Sequence, residues 1–526
     1  MAKRKLATSR DGSSEQKLQR MSVFGRLPNK NGVIQHFRIG DIIHDVPMPD
    51  LKDPNNPPRM VSIFKYSDEY KKLNGPALSI SNHNAPPTVK NQKFDFIVLE
   101  NGNVPSVLAN AIPRGKNADV VQAYPGMSSY KSLKNDVHRL NALCNMGGAS
   151  IGSIDIYGHD SRQSPNTFNM LPLNDRMLDI FTQVDIDSVT KDTVATLQSM
   201  GYGRSQLFVN MTGRDTSISV LAADSDQEKV FNVKLPSGKG PVSQVDEAYM
   251  SSVLCDAAHS AGISDSYESR VHENKKTGVA AQITEYAYSD MFIDSEGNLK
   301  TTNSIPMFNF PLTDLLSQED RQIPTYAAIA DTFDRMMINS SEAKASLARS
   351  MLFNHAVHST GFNIGDIRCV VKSIDPDPET GLHFEMVPLS FGLVPDPNAA
   401  NSMQISLGNG FYNGQITPQH DGMLPLSDQA TCIDIVRVEM GLSEDEARKV
   451  YNDVKSGVMS LPDHAAEHGM TKEQFNQIAK AVSLTFGEEF ANGLRNDFDV
   501  RLELAAEHIL EEEHDRDNQA SLKMSR

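Results

Sequence analysis

The sequence predicts an α+β protein, β-rich through its first half and helical toward its C-terminus. Three observations carry that reading. Residues 57–100 alternate short apolar runs, MVSIF and FDFIVLE, with the Asn- and Pro-rich turns NNPPR and SNHNAPP. Residues 196–236 do the same with SQLFVNM, SISVLAA and VFNVKLP around polar turns. Near the other end, LSEDEARKVYNDV and HGMTKEQFNQIAKAV each open on a capping box, Ser443 with Glu446 and Thr471 with Gln474.

A chain of 526 residues is long for one core and predicts two or more packed lobes. The expected division is a basic disordered arm (1–30), a β-rich N-terminal lobe (31–300), a helical C-terminal lobe (301–500) and a charged tail (501–526). Hydrophobic content of 39% and charged content of 22% are those of an ordinary globular protein. No run of 18 apolar residues occurs, so no membrane contact is expected. The basic start MAKRKLATSR is followed by no apolar h-region, which excludes a secretory signal. Cys144, Cys255, Cys369 and Cys432 lack CxxC spacing. They argue against a disulfide scaffold or a zinc site and fit a reducing cytoplasm. Residues 1–30 hold eight Lys/Arg against two Asp/Glu, whereas the whole chain holds 50 against 67, net −17. An acidic body repels phosphate backbones, so direct nucleic-acid binding is expected only through the basic arm, if at all.

Taken in order, DVHRLNALCNMGGASIGSIDIYG (136–158) reads as a short helix with apolar Val137, Leu140 and Leu143, a glycine turn, then a strand. In SMGYGRSQLFVNM, Gly201 and Gly203 precede a strand, with Ser205 beside them. Glycine there lets backbone N–H groups approach a phosphate, although GxG alone is a weak signal and a plain turn is the simpler account of the pair. Lys234 ends the apolar strand FNVKLP. It is either a solvated strand end or a point charge for α/β-phosphates. In QVDEAYMSSVLCDAAHSAGI, residues Tyr249, Met250, Val253, Leu254, Ala257, Ala258 and Ala261 form one core-facing helical stripe closed by Gly262. Asp246 and Glu247 in its first turn suit the helix dipole; one of them is alternatively the acid that holds Lys234.

In this order the features resemble the HipA-like serine/threonine kinases, toxin components of bacterial toxin–antitoxin modules. The resemblance spans roughly residues 100–485 through diverged motifs. RLNALCNMGGASIGSIDIYG is similar to an N-terminal-lobe segment and SMGYGRSQLFV to the glycine loop. FNVKLPSGKGPVSQVDEAYM looks like the family's "IVKPP…NEY" run, MVPLSFGLVPDPN like "LAPAYDLVP", and GLSEDEARKVYNDV like the C-terminal helical region. The resemblance implies a bilobal protein-kinase-like fold, ATP and Mg²⁺ as cofactors, a protein substrate or binding partner, and an antitoxin-like partner. It places Lys234 on the ATP-binding lysine, with Gly201, Gly203, Ser205, Asp246 and Glu247 around the nucleotide.

The stretch MLFNHAVHSTGFNIGDIRCVV (351–371) falls where the family's catalytic loop, roughly F-N-x-x-I-G-N-x-D-x-H-x-x-N, is expected. Anchoring on Phe353-Asn354 puts Gly361 at the aspartate base and Asp366 at the metal-binding Asn. Anchoring on Asn363 as the metal ligand puts His358 at the base. Neither register supplies an aspartate, and the aspartate of the "AYDL" run falls on Phe391 or Gly392. His358 is therefore the candidate base, with Asn363 and Asp366 as candidate metal ligands. The two functions this leaves are a kinase with rewired site residues and a non-catalytic pseudokinase acting through protein interactions.

Overall fold

The structure is a computed structural model. It describes residues 20–28, 34–49, 56–72, 78, 89, 96–99, 104–105, 108–109, 111–113, 118, 121–122, 127–144, 154–158, 171–183, 207–212, 215–224, 229–236, 242–263, 269–285, 292–293, 299–300, 305–311, 326–336, 340–357, 367–374, 382–388 and 426–504.

The first sheet joins β1 (Arg20–Pro28), β2 (Ile34–Met48), β3 (Arg59–Tyr66), β4 (Phe96–Leu99) and β5 (Ile154–Gly158) in the order β4-β3-β2-β1-β5. Every neighbouring pair is antiparallel. Strand periodicity sends Val23, Ile42, Phe64 and Ile156 to one buried face. Helix α1 (Asp68–Lys72) follows β3, and α2 (Asp136–Leu143) buries Val137, Leu140 and Leu143. Asn135 caps α2 by accepting from the Val137 N–H at 2.8 Å. The expected disordered arm needs correction here. Residues 20–28 of it are β1, an inner strand, because Met21 and Val23 alternate inward despite the basic residues around them.

The second sheet contains β6 (Leu171–Pro172), β7 (Leu207–Thr212), β8 (Asp215–Asp224), β9 (Lys229–Leu235), β10 (Ser269–Asn274) and β11 (Val279–Glu285). Its order is β10-β11-β9-β8-β6, with β7 also paired to β8. Helix α3 (Asp175–Phe181) lies on one face of this sheet and α4 (Gln244–Ser260) on the other. His272 to Asp179 at 3.3 Å and Asn274 to Thr182 at 3.0 Å tie β10 to α3 and its C-terminal cap. Ser243 caps α4, and Gly262 at φ +71° ends it, with Ile263 N–H donating back to Ala258 C=O.

Strands β12 (Phe292–Ile293) and β13 (Leu299–Lys300) form a small ribbon. β14 (Ile305–Pro311), β15 (Ile367–Ile374) and β16 (Leu382–Pro388) then build a three-stranded antiparallel sheet. The part of the chain expected to be helical thus contains a sheet of its own. Its helices are α5 (Tyr326–Met336), α6 (Ser340–Ala356), α7 (Gln429–Met440), α8 (Glu444–Met459), α9 (Leu461–Glu467) and α10 (Lys472–Phe486), with residues 488–504 also helical. Both expected capping boxes are present, at α8 and α10.

α4 is the pivot between sheet and helices. Gln474 of α10 donates to Asp246 at 2.7 Å. His468, just past α9, meets Asp256 at 2.7 Å, and His464 meets Ser260 at 3.0 Å. The two α9-side histidines and their two α4 partners are each spaced by four, so one turn of each helix matches the other. α8 packs beside them and is tied to α6 by Arg349 to Asp453 at 2.9 Å. No described helix is long and apolar enough to cross a membrane.

Candidate functional site

The two faces of the second sheet differ in chemistry, and pairing register tells which side chains share each. Phe231, Val233 and Ile283 form an apolar face toward α3, where Arg270 stacks over the Phe231 ring at 5.0 Å. Lys234 pairs directly with Gln282 across β9–β11, so the two side chains point to the other face. That face meets α4: Gln282 Nε2 donates to Cys255 Sγ at 3.4 Å, and Gln244 accepts from Ala280 N–H at 2.8 Å. Tyr249 donates to Glu273 at 3.3 Å, and burial, then the Glu273 charge, raises its phenol pKa.

Lys234 is therefore not a solvated strand end. It is 4% exposed and lies in the layer between sheet and helix. On α4, Glu247, Ser251 and Cys255 recur at intervals of four and form the stripe that meets this layer. Glu247 is 1% exposed. Asp246 belongs to the opposite stripe, with Met250, Val253 and Ala257, and is engaged by Gln474 of the helical layer. Of the two candidate acids, helical phase brings only Glu247 to the side where Lys234 lies.

Ser251, Ser252, Ser269, Gln282 and Thr284 are also buried there. Sequence reading missed them because α4 was read by its apolar stripe alone; the Ser251–Ser252 pair inside an otherwise apolar helix was the available signal. The hydroxyls of Ser251, Ser252 and Ser269 have no hydrogen-bond partner. A buried, unsatisfied hydroxyl costs about 1–3 kcal/mol. If the layer is kept polar for a ligand, Ser251→Ala should leave stability unchanged or raise it by about 1 kcal/mol, since alanine also favours helix. Urea unfolding of the two proteins measures this, and a marked loss would make Ser251 a structural residue.

The candidate catalytic segment is reached from α6. Phe353 and Asn354 are both buried; Asn354 Nδ2 donates to Ser350 C=O at 2.7 Å, while its Oδ1 has no partner. The chain leaves α6 after Ala356 and returns at Ile367 as β15, which pairs with β16. His358, Asn363 and Asp366 lie outside the described residues, as do Gly201, Gly203, Ser205, Gly361, Phe391 and Gly392. Among the described residues no group of three or more His, Cys, Asp or Glu side chains is arranged to hold a metal.

No protein-family model matches the chain, and no curated protein matches it. Among solved structures, a chain from the Shewanella oneidensis MR-1 toxin–antitoxin complex of HipA, HipB and operator DNA is similar at 11% identity and a TM-score of 0.42. That match covers 90% of this chain and 99% of the other. The Helicobacter pylori proinflammatory kinase CtkA is similar at 11% identity and a TM-score of 0.31, over 57% of this chain and 97% of its own. At these scores the likeness assigns neither a family nor an activity.

Proposed function

We propose that this chain is a bilobal, HipA-like kinase-fold protein that binds ATP with Mg²⁺ through Lys234 but has degraded phosphoryl-transfer chemistry. Its role is then interaction with, or regulation of, a protein partner, of which an antitoxin-like protein is one form. The observation that supports this best is that Lys234, on a rigid strand, is only 4% exposed and lies in the polar layer toward which Glu247 also turns. Removing an ammonium from water is expensive, and a fold with no use for the charge would leave it at the surface. In phosphoryl transfer the protein's work is positioning and charge neutralisation, which is what a lysine oriented from a rigid strand supplies.

ATP contributes the transferable γ-phosphoryl. Lys234 would neutralise its phosphates, Glu247 would be the acid available to orient the lysine, and Asn363 or Asp366 would hold the metal. What the sequence lacks there is the aspartate base, and one missing electrostatic stabiliser costs about 10²–10³ in rate.

The test is MgATP binding by calorimetry together with transfer of labelled γ-phosphate, on wild type and His358→Ala. Binding without transfer in both is expected. Transfer that drops about 10²–10⁴-fold in His358→Ala would show a working histidine base and replace the degraded reading with an active one. Absence of MgATP binding would remove the nucleotide reading altogether.

A further inference from the structure

We infer that a bulge in the first sheet, together with the first turn of α2, forms a binding site for a small organic anion, separate from the layer at Lys234. The bulge is read from register. Ile43 pairs with Ile63 and Val46 with Val61, so His44 and Asp45 together oppose Ser62. Bulges of this kind re-aim side chains and are concentrated near functional sites. Asp45 pays a conformational cost for it. It holds φ +55° and is the one non-glycine residue with positive φ among the described residues. A non-glycine residue in that region costs about 1 kcal/mol or more and persists where the surroundings require it.

Beside the bulge is a cavity of about 540 Å³, within the size range of small-molecule sites. Polar groups reach it from three elements: His44 and Asp45 from β2, Arg59 from β3, and Asn135, His138 and Asn141 from α2 and its cap. Val61, Leu99 and Val137 supply an apolar wall. Donors prevail. Arg59 is a permanent cation, and Asn135 uses its Oδ1 to cap Val137, which leaves its Nδ2 to donate. The positive end of the α2 dipole lies on the same side. The one carboxylate in the lining, Asp45, is exposed, as is Arg59, so the balance toward donors rests on the amides and imidazoles around them.

His44 provides a second and independent sign of a ligand. Its Nδ1 is 2.8 Å from Ser62 Oγ, while its Nε2 is buried with no hydrogen-bond partner. Burial lowers the imidazole pKa; Asp45 opposes that shift and His138 adds to it. A ring nitrogen left without a partner beside a strained bulge and a polar-lined cavity is a hydrogen-bonding capacity that a small turn of the His44 ring would offer to a ligand.

Titration calorimetry on the full chain with sodium phosphate and with sodium butyrate tests the site, and the two probes separate phosphate-type from carboxylate-type ligands. Saturable binding of at least one probe is expected. Arg59→Gln should weaken it at least about tenfold, as expected for loss of a charged hydrogen bond. His44→Gln should weaken it less. Thermal unfolding of each variant, run in parallel, checks that it folds. Three results overturn the inference: neither probe binds, binding survives both Arg59→Gln and His44→Gln, or binding is lost in Lys234→Met and kept in Arg59→Gln. The last would place the anion at the nucleotide site, so failure here and failure of the nucleotide reading are distinguishable.

Discussion

Gly457→Ala is expected to destabilise the protein by about 2 kcal/mol, against the helix-propensity trend. In an exposed helix the same change gains about 1 kcal/mol, because alanine loses less backbone entropy. At Gly457 the new Cβ would stand 2.6 Å from Ala257 O, 2.6 Å from Ala261 Cβ and 2.9 Å from Ala261 N, where α8 crosses the end of α4. Two of these three atoms are backbone, so no side chain can rotate away, and the helices must separate. The chain contains its own control. Gly493 is exposed in the helical segment 488–504, and a Cβ there meets nothing within 4 Å. Gly493→Ala should therefore stabilise by up to about 1 kcal/mol. Urea unfolding of both variants reads the contrast, and two shifts of the same sign would show that the α8–α4 seam is not closely packed. Ala261→Gly in the Gly457→Ala background should recover part of the loss, because it removes one of the three obstructing contacts.

That seam bears on the proposed nucleotide site because α4 carries Glu247 on the stripe facing the sheet and is clamped on its other sides by Gln474, His464 and His468. How α4 is seated against the sheet is thus set by residues about two hundred positions away in sequence. This is also where legibility in the sequence ended. Elements with local signals were readable: MVSIF and FDFIVLE became β3 and β4, QVDEAYM opened α4, Gly262 closed it, and both capping boxes formed. Each of these is decided within a few residues by alternation, helical spacing or a side chain reaching its own backbone.

What depended on distant partners was not readable. β1 lies in a basic stretch whose composition suggests disorder, and only its pairing with β2 and β5 makes Met21 and Val23 core residues. The β14–β16 sheet joins segments tens of residues apart inside a region whose strongest local signals are helical. The two readings left open for Lys234, surface or site, differ only in what covers FNVKLP, and the answer comes from the register of β9 with β11. The bulge at His44 and Asp45 is likewise a property of two strands together. No property of IIHDVPM by itself marks it.

Lys234→Met is expected to lower MgATP affinity about 10–100-fold while leaving stability unchanged or raising it. The affinity term follows from losing a charged hydrogen bond to phosphate, worth about 1.5–3 kcal/mol, at 1.4 kcal/mol per tenfold. The stability term follows from burial. Lys234 is 4% exposed, so most of its side chain is in the sheet–helix layer, where a methionine of similar length needs no charge to be accommodated. Methionine keeps an apolar stem of similar length in the layer and avoids the cavity that alanine would leave. Opposite signs in the two measurements are what separate a ligand-directed lysine from a structural one. A lysine kept for folding would lose stability on substitution and leave nucleotide affinity in the folded fraction untouched. Lys234→Arg sharpens the test, because it retains the charge but puts a planar fork in a layer sized for a point charge. It should recover little of the affinity. Full recovery by arginine would mean that the layer supplies only a general positive potential, and the phosphate-binding role would have to be given to other residues.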